Sequence, residues 1–146
     1  MALRFIKEIQ GTRNSDDYAT PKHFYEKINR EFNFSYDPCP FQSDFDGLQT
    51  DWVGNIYVNP PYSNIEPFII KGLQELKKSA NVVVYLIPVR SDTKYWHNLI
   101  MKYANEIRFV KGRLNFNDAK SPSPFPVCLI IFNKENGNIA CTSYNK

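Results

Sequence analysis

Cysteine is scarce in this chain, and long apolar runs and a strong excess of one charge are missing. The three cysteines, Cys39, Cys128 and Cys141, are odd in number and have no CxxC or Cys/His spacing. That pattern supports neither a disulfide framework nor a zinc site, and it fits a reduced, intracellular setting. The two histidines, His23 and His97, sit in helical patterns without metal-ligand spacing, so no metal is expected. No apolar stretch approaches the roughly 20 residues that cross a bilayer. Met1 to Gln10, with Arg4, Lys7 and Glu8, does not read as a signal peptide. A soluble, cytoplasmic protein without membrane partners is therefore expected. Charge is nearly balanced, 18 Lys and Arg against 15 Asp and Glu for a formal +3, which permits a polyanionic partner without demanding one. There is no internal repeat and no low-complexity tract.

What is present is one domain's worth of chain, 146 residues at 42% hydrophobic content, with a generous supply of rings, nine Tyr and eleven Phe. Most of those rings belong to a core, and only those beside other site signals are candidates for base stacking. Residues 1–14 are expected to be a flexible segment, and the polar stretch Gln10 to Asp17 a loop. Thr20 followed by Pro21 predicts an N-cap and first helical position, with Phe24, Ile28 and Phe32 spaced for a helix from Pro21 to about Glu31. Asn33 to Tyr36 reads as a short strand halted by Asp37-Pro38-Cys39-Pro40. Phe41 to Gly54, with Asp44, Asp46 and Asp51, reads as a loop that has room for a short helical turn.

A strand over Asn55 to Val58 runs into Asn59-Pro60-Pro61-Tyr62, followed by a helix over Pro67 to Lys78. The run NVVVYLI from Asn81 to Ile87 has the pattern of a strand buried on both faces, ended by Pro88. A helix from about Asp92 to Tyr103 and strands over Glu106 to Val110 and Val127 to Phe132 complete the reading, with Lys111 to Pro126 as a long loop. Strands alternating with helices predict the α/β class, a compact Rossmann-like fold with a mostly parallel sheet and helices on both faces. Asp37-Pro38, Asn59 to Tyr62 and Pro88 to Ser91 each follow a predicted strand, so all three should meet at the carboxyl edge where ligands of this class bind.

Asn-Pro-Pro-Tyr after an apolar strand is suited to chemistry on a planar amino nitrogen. The lone pair of an adenine amino group is delocalised into its ring, which makes the nitrogen a poor nucleophile. The side-chain carbonyl of Asn59 and the backbone carbonyl of Pro60 can accept its two hydrogens and draw it toward tetrahedral geometry. Two prolines keep both acceptors aimed without reorganisation, and Tyr62 offers a face on which a flipped base can stack.

Beyond the tetrapeptide, the chain resembles the phage-type DNA N-6-adenine methyltransferase (Dam) family. The resemblance runs through SDDYATP (15–21), FNFSYDPCP (32–40), Asp46-Gly47-Leu48 with Trp52, NIYVNPPYS (55–63), LIPVRSDTKYW (86–96) and IRFVKGRLNF (107–116) with Pro124-Phe125-Pro126. It implies S-adenosylmethionine as methyl donor, adenine in DNA as acceptor, and a phage or prophage protein working in a bacterial host, for which protection from restriction is the natural purpose. It further implies that Thr20 and Pro21 meet the donor's carboxylate, that Asp37 and Pro38 face its ammonium group, and that Asp46 meets its adenine or ribose. Pro38-Cys39-Pro40 stands where most users of this donor carry a glycine-rich turn. Arg90, Lys94, Lys111 and Arg113, in or beside loops at the site edge, are the candidates for phosphate contacts, Arg90 first among them.

Two other enzyme readings share the Asn-Pro-Pro-Tyr loop, glutamine N5 methylation in proteins and amino methylation of RNA. A non-catalytic nucleic-acid binder with the same fold is the reading from another class. Only Lys111 to Pro126 and Phe41 to Gly54 are long enough to read base edges, which predicts short or relaxed sequence specificity, with a second subunit of a homodimer as one way to extend it.

Overall fold

The computed structural model describes residues 18–118, 122–135 and 138–146; the loop expected over 10–17 and the flexible segment expected over 1–14 lie outside them. Five strands form one sheet, β1 (Gly54–Val58), β2 (Ala80–Pro88), β3 (Glu106–Val110), β4 (Val127–Asn133) and β5 (Ala140–Tyr144), in the spatial order β1-β2-β4-β3-β5. β1 and β2 pair in parallel, as do β3 and β5, while β4 is antiparallel to both of its neighbours. Four strands thus share one direction and β4 alone is reversed, the mostly parallel sheet that the alternation of elements predicted. The strand expected at Asn33 to Tyr36 shrinks to one parallel bridge, Tyr36 to Ile56, which extends the sheet beyond β1 in the common direction.

Helix α1 (Lys22–Phe32) covers one face of the sheet and α2 (Ile65–Leu76) the other. Side chains alternate across a strand, and the register shows which row serves which helix. Tyr57 pairs with Val84, and Arg108 pairs with Leu129; both belong to the α1 face. Tyr25 on α1 meets the Tyr57 ring edge-on at 5.1 Å, and the Arg108 guanidinium holds both carboxylate oxygens of Glu31 at 2.6 and 2.7 Å. Arg108 also lies over the rings of Phe32 and Tyr144, so α1, β3 and β5 are tied at one point. On the other face Tyr85, fully buried, donates its hydroxyl to the Phe68 carbonyl of α2 at 2.7 Å. A Cβ at Gly72 would come within 1.9 Å of that hydroxyl, which is why α2 carries a glycine mid-helix in spite of its cost there.

Three local expectations are corrected. Thr20 does not cap α1: Pro21 holds the N-cap position without a side-chain bond, and the Thr20 hydroxyl is drawn inward to the Tyr57 hydroxyl at 2.7 Å. The helix expected over Asp92 to Tyr103 is π-helical at Trp96–Ile100 before an α-helical turn at Met101–Tyr103, a widened turn that places Trp96 and Ile100 in the core. β2 is not flanked by parallel neighbours on both sides, since β4 runs against it. Among the described residues no helix is long and apolar enough to cross a membrane.

Beneath the site, Trp52 is fully buried and donates its indole N–H to the Gly47 carbonyl at 2.9 Å. Its backbone N–H is taken by Glu75, a buried carboxylate that also pairs with Lys71 at 2.8 Å. Glu75→Ala leaves a buried N–H unpaired, and is expected to cost about 2–3 kcal/mol in chemical denaturation. Glu75→Gln, which still accepts from Trp52, should cost less; equal stability of wild type and Glu75→Ala would remove Glu75 from this account.

Candidate active site

Because β1, β2, β3 and β5 run one way and β4 the other, the ends Val58, Pro88, Val110 and Tyr144 and the beginning Val127 share one edge. The backbone N–H of Val89 closes on the Pro126 carbonyl at 3.0 Å and that of Lys111 on the Tyr144 carbonyl at 2.8 Å. Asn59-Pro60-Pro61-Tyr62 leaves β1 at this edge, and all four residues are buried. The loop is held from two sides. Asn64 donates its backbone N–H to the Pro61 carbonyl at 2.9 Å, and Arg90, just past β2, donates Nη1 to the Tyr62 carbonyl at 2.6 Å. Arg90, the first candidate for a phosphate contact, is therefore engaged in holding this loop.

Asn59 is the chemical centre. Its Nδ2 donates to the Tyr18 carbonyl at 2.5 Å and to the Thr20 hydroxyl at 3.3 Å. Its Oδ1 is buried and has no hydrogen-bond partner among the described residues, although such an atom costs about 1–3 kcal/mol to leave unpaired. The Tyr18 carbonyl can only accept, and it fixes which way the amide faces; the Thr20 hydroxyl in turn meets the Tyr57 hydroxyl. Burial, aided by the charge of Asp37 and opposed by the hydrogen bond to Thr20, drives the Tyr57 phenol far above its ordinary pKa, and it stays a neutral hydroxyl.

Tyr62 is almost fully buried, and its stacking partner is already present: the Tyr18 ring lies on it at 5.2 Å and 21°. Phe116 and Phe125 stand edge-on to both rings at 5.3 to 6.1 Å. The face of Tyr62 expected to receive a base is thus closed by Tyr18 within a box of four rings. The Tyr18–Thr20 strap is pinned to the loop after β3, with Ala19 N–H donating to Asn117 Oδ1 and Asn117 N–H donating to the Ala19 carbonyl.

Beside the box lies a cleft of about 300 Å³ lined by Tyr18, Ala19, Thr20, Lys22, Tyr25, Asp37, Cys39, Phe41, Tyr57 and Asn59. Asp37 is its carboxylate, and one oxygen accepts from Cys39 N–H at 2.8 Å to shape the turn. Its charge adds to burial in raising the Tyr25 phenol. Lys22 supplies a cation to the same cleft. Pro38 is buried behind Asp37, and Gly47 packs on it so closely that a Cβ there would stand 2.0 Å from the Pro38 carbonyl oxygen. Asp46 is not among the lining residues; its carboxylate caps the turn Gly47–Gln49 through the Leu48 N–H at 3.0 Å.

The sequence-based candidates Thr20, Asp37 and Asn59 therefore meet in one cleft, whereas Pro21, Pro38, Pro60, Pro61, Tyr62 and Asp46 are not among its lining residues. Lys94, Lys111 and Arg113 are exposed and lie outside the cleft lining. Tyr18, Tyr57, Phe116 and Phe125 were not singled out as site residues; they come together only through the fold, and the one signal for them was an aromatic within the blocks quoted above. Among the described residues no cluster of three His, Cys, Asp or Glu side chains could hold a metal ion.

Comparison with known proteins points the same way as this geometry. The chain is 29% identical over 114 aligned residues to the DNA N-6-adenine-methyltransferase of Haemophilus phage HP1 (strain HP1c1), covering 68% of this chain and 65% of that protein. The profile of the family described as DNA N-6-adenine-methyltransferase (Dam) matches residues 10–142, nearly the whole length, and the chain belongs to that family.

Proposed function

We propose that this protein transfers a methyl group from S-adenosylmethionine to the N6 amino group of adenine in DNA. The observation that carries the reading is Asn59 Oδ1, a buried acceptor without a partner among the described residues, whose orientation is set by the Tyr18 carbonyl to which Nδ2 donates. An acceptor kept unpaired at such cost suits a donor that arrives with the substrate, as an exocyclic amino group does.

The cleft beside Asn59 fits the methyl donor. Asp37 and Lys22 give it one charge of each sign, the complement of the ammonium and carboxylate of an amino-acid moiety, while Tyr25 and Phe41 offer rings to a nucleoside. When bound, the donor supplies a methyl group on a sulfonium. The remaining work belongs to the protein. Asn59 Oδ1 and the Pro60 carbonyl accept the two amino hydrogens and localise the nitrogen lone pair. Arg90, bonded to the Tyr62 carbonyl, keeps the loop from yielding as the nitrogen becomes tetrahedral. After transfer the nitrogen carries one methyl and one hydrogen, and its second proton passes to water. Tyr62 receives the base once the Tyr18 ring turns away, since two rings stacked at 5.2 Å leave no space for a third between them. Asp46 acts at one remove by setting the turn that places Gly47 against Pro38.

The test is transfer of labelled methyl from S-adenosylmethionine to unmethylated DNA, followed by nucleoside mass analysis. N6-methyladenine is the expected product. Donor binding without any DNA product, together with label in RNA or in a protein glutamine, would reassign the acceptor.

A further inference from the structure

A second cavity, of about 640 Å³, opens on the other side of Pro21 from the donor cleft and is lined by Pro21, Lys22, His23, Phe24, Arg113, Leu114, Asn115 and Lys146. We infer that it is a seat for the DNA sugar-phosphate backbone, a phosphodiester site built from Arg113 and Lys146, with Lys22 on the rim that it shares with the donor cleft. The inference rests on the DNA reading of the active site and adds to it the place where the strand is gripped.

Three observations support it. The cations come from three separate segments, the start of α1, the loop after β3 and the residues after β5, yet converge on one concavity in which no lining residue is acidic. Lys22 also stands 3.8 Å from Glu26 in an exposed pair, which solvent screens and which contributes little. The ammonium of Lys146 is placed by the fold: it donates to the Arg113 carbonyl at 3.0 Å and packs where a Cβ on Gly112 would stand at 3.3 Å, while the Arg113 guanidinium donates Nη1 to the Ser123 carbonyl at 3.4 Å. The first turn of α1, which has no side-chain cap, turns N–H donors toward the same end, where the helix dipole favours an anion.

Position favours a phosphodiester over a small free anion. β3 and β5 end side by side, Val110 paired with Tyr144, so Arg113 and Lys146 lie at the edge where Asn59 stands. Leu114 and Asn115 line the cavity, Phe116 stands in the aromatic box and Asn117 pins the strap at Ala19. Four consecutive residues thus connect cavity, base seat and strap. A nucleotide flipped onto Tyr62 keeps its neighbours on the same strand, and their phosphates need cations within a few ångströms of that loop.

The experiment is DNA binding by fluorescence anisotropy over a salt series, with donor affinity measured alongside, for wild type, Arg113→Gln/Lys146→Gln and Arg113→Lys/Lys146→Arg. Loss of two phosphate contacts should reduce the slope of log K against log salt by about two. The charge-conserving pair should restore most of it, with donor affinity unchanged in both. An unaltered salt slope in a double variant that still binds DNA would overturn the inference and leave the methyltransferase reading intact. Weakened donor binding with unchanged DNA binding would overturn it as well, giving the cavity to the donor's carboxylate. A wild-type protein with no affinity for DNA would remove both readings together.

Discussion

Asn59→Ala is expected to lower kcat for methyl transfer by at least about 10²–10³-fold, the range seen when one preorganised hydrogen-bonding group is removed from a reacting centre. The substitution deletes the side-chain acceptor proposed for the amino group and at the same time frees the Tyr18 carbonyl and the Thr20 hydroxyl, which now hold Nδ2. Asp37 and Lys22 stay in place, so calorimetry should still detect donor binding. Nucleoside mass analysis after incubation with DNA reads the loss directly. If Asn59→Ala folds, binds the donor and still methylates at a rate near wild type, the unpaired Oδ1 has no chemical role. If donor binding disappears instead, Asn59 belongs to the cofactor cleft more than to the acceptor.

Gly47→Ala should be nearly as damaging, by a route that involves no lost hydrogen bond. The added Cβ would sit 2.0 Å from the Pro38 oxygen and 2.8 Å from its carbonyl carbon. Neither side of the contact can retreat cheaply. The Gly47 carbonyl is held by the Trp52 indole at 2.9 Å and by the Thr50 hydroxyl at 3.0 Å, while Pro38 is fixed between Asp37 and Pro40 with its own ring limiting the backbone. Overpacking of this kind costs about 1–3 kcal/mol. The larger expected effect is on the donor, because Pro38 can move only by taking Asp37 with it, and displacement of a binding group by about 1 Å reaches 10²-fold. A lowered thermal midpoint together with donor affinity at least about tenfold weaker is the expected result. Unchanged donor affinity in a destabilised variant would show that the 46–48 turn supports the fold alone.

Much of this arrangement was legible in the sequence, for identifiable reasons. β1 and the Asn-Pro-Pro-Tyr loop stand out because an apolar strand meets a rigid dipeptide, and β2 because nine consecutive residues are largely apolar. β5 was not seen: its residues ACTSY are mostly exposed, so it lacks the alternation that marks a half-buried strand, and backbone pairing with β3 is what makes it a strand. The direction of β4 was equally hidden, since a run such as VCLIIF is buried whichever way it points. Thr20 looks like a helix cap in any local window; only the fold brings Tyr57 and Asn59 near enough to claim its hydroxyl. The same limit applies to Arg108 and Glu31, 77 positions apart, and to the Tyr18 ring on Tyr62. Sequence patterns report what neighbours along the chain do, and these contacts arise between segments that no window contains.

The reversal of β4 has a bearing on how such proteins diversify. Since β3 leaves the sheet and β4 enters it at the same edge, the connection between them starts and finishes at the edge where Asn59 stands, with both stems clamped by backbone hydrogen bonds to β5 and to the residue after β2. Its length is then uncoupled from strand register. Doubling a flexible loop costs only about 0.6 kcal/mol in closure entropy, so a segment added between Asn117 and Ser123 leaves Asn59 and Asp37 in place as long as Phe116, Asn117 and Phe125 keep their contacts with the box and the strap. The constraint falls on the stems and the freedom on the middle: sequence-reading elements can be inserted between those anchors while the catalytic chassis is inherited unchanged.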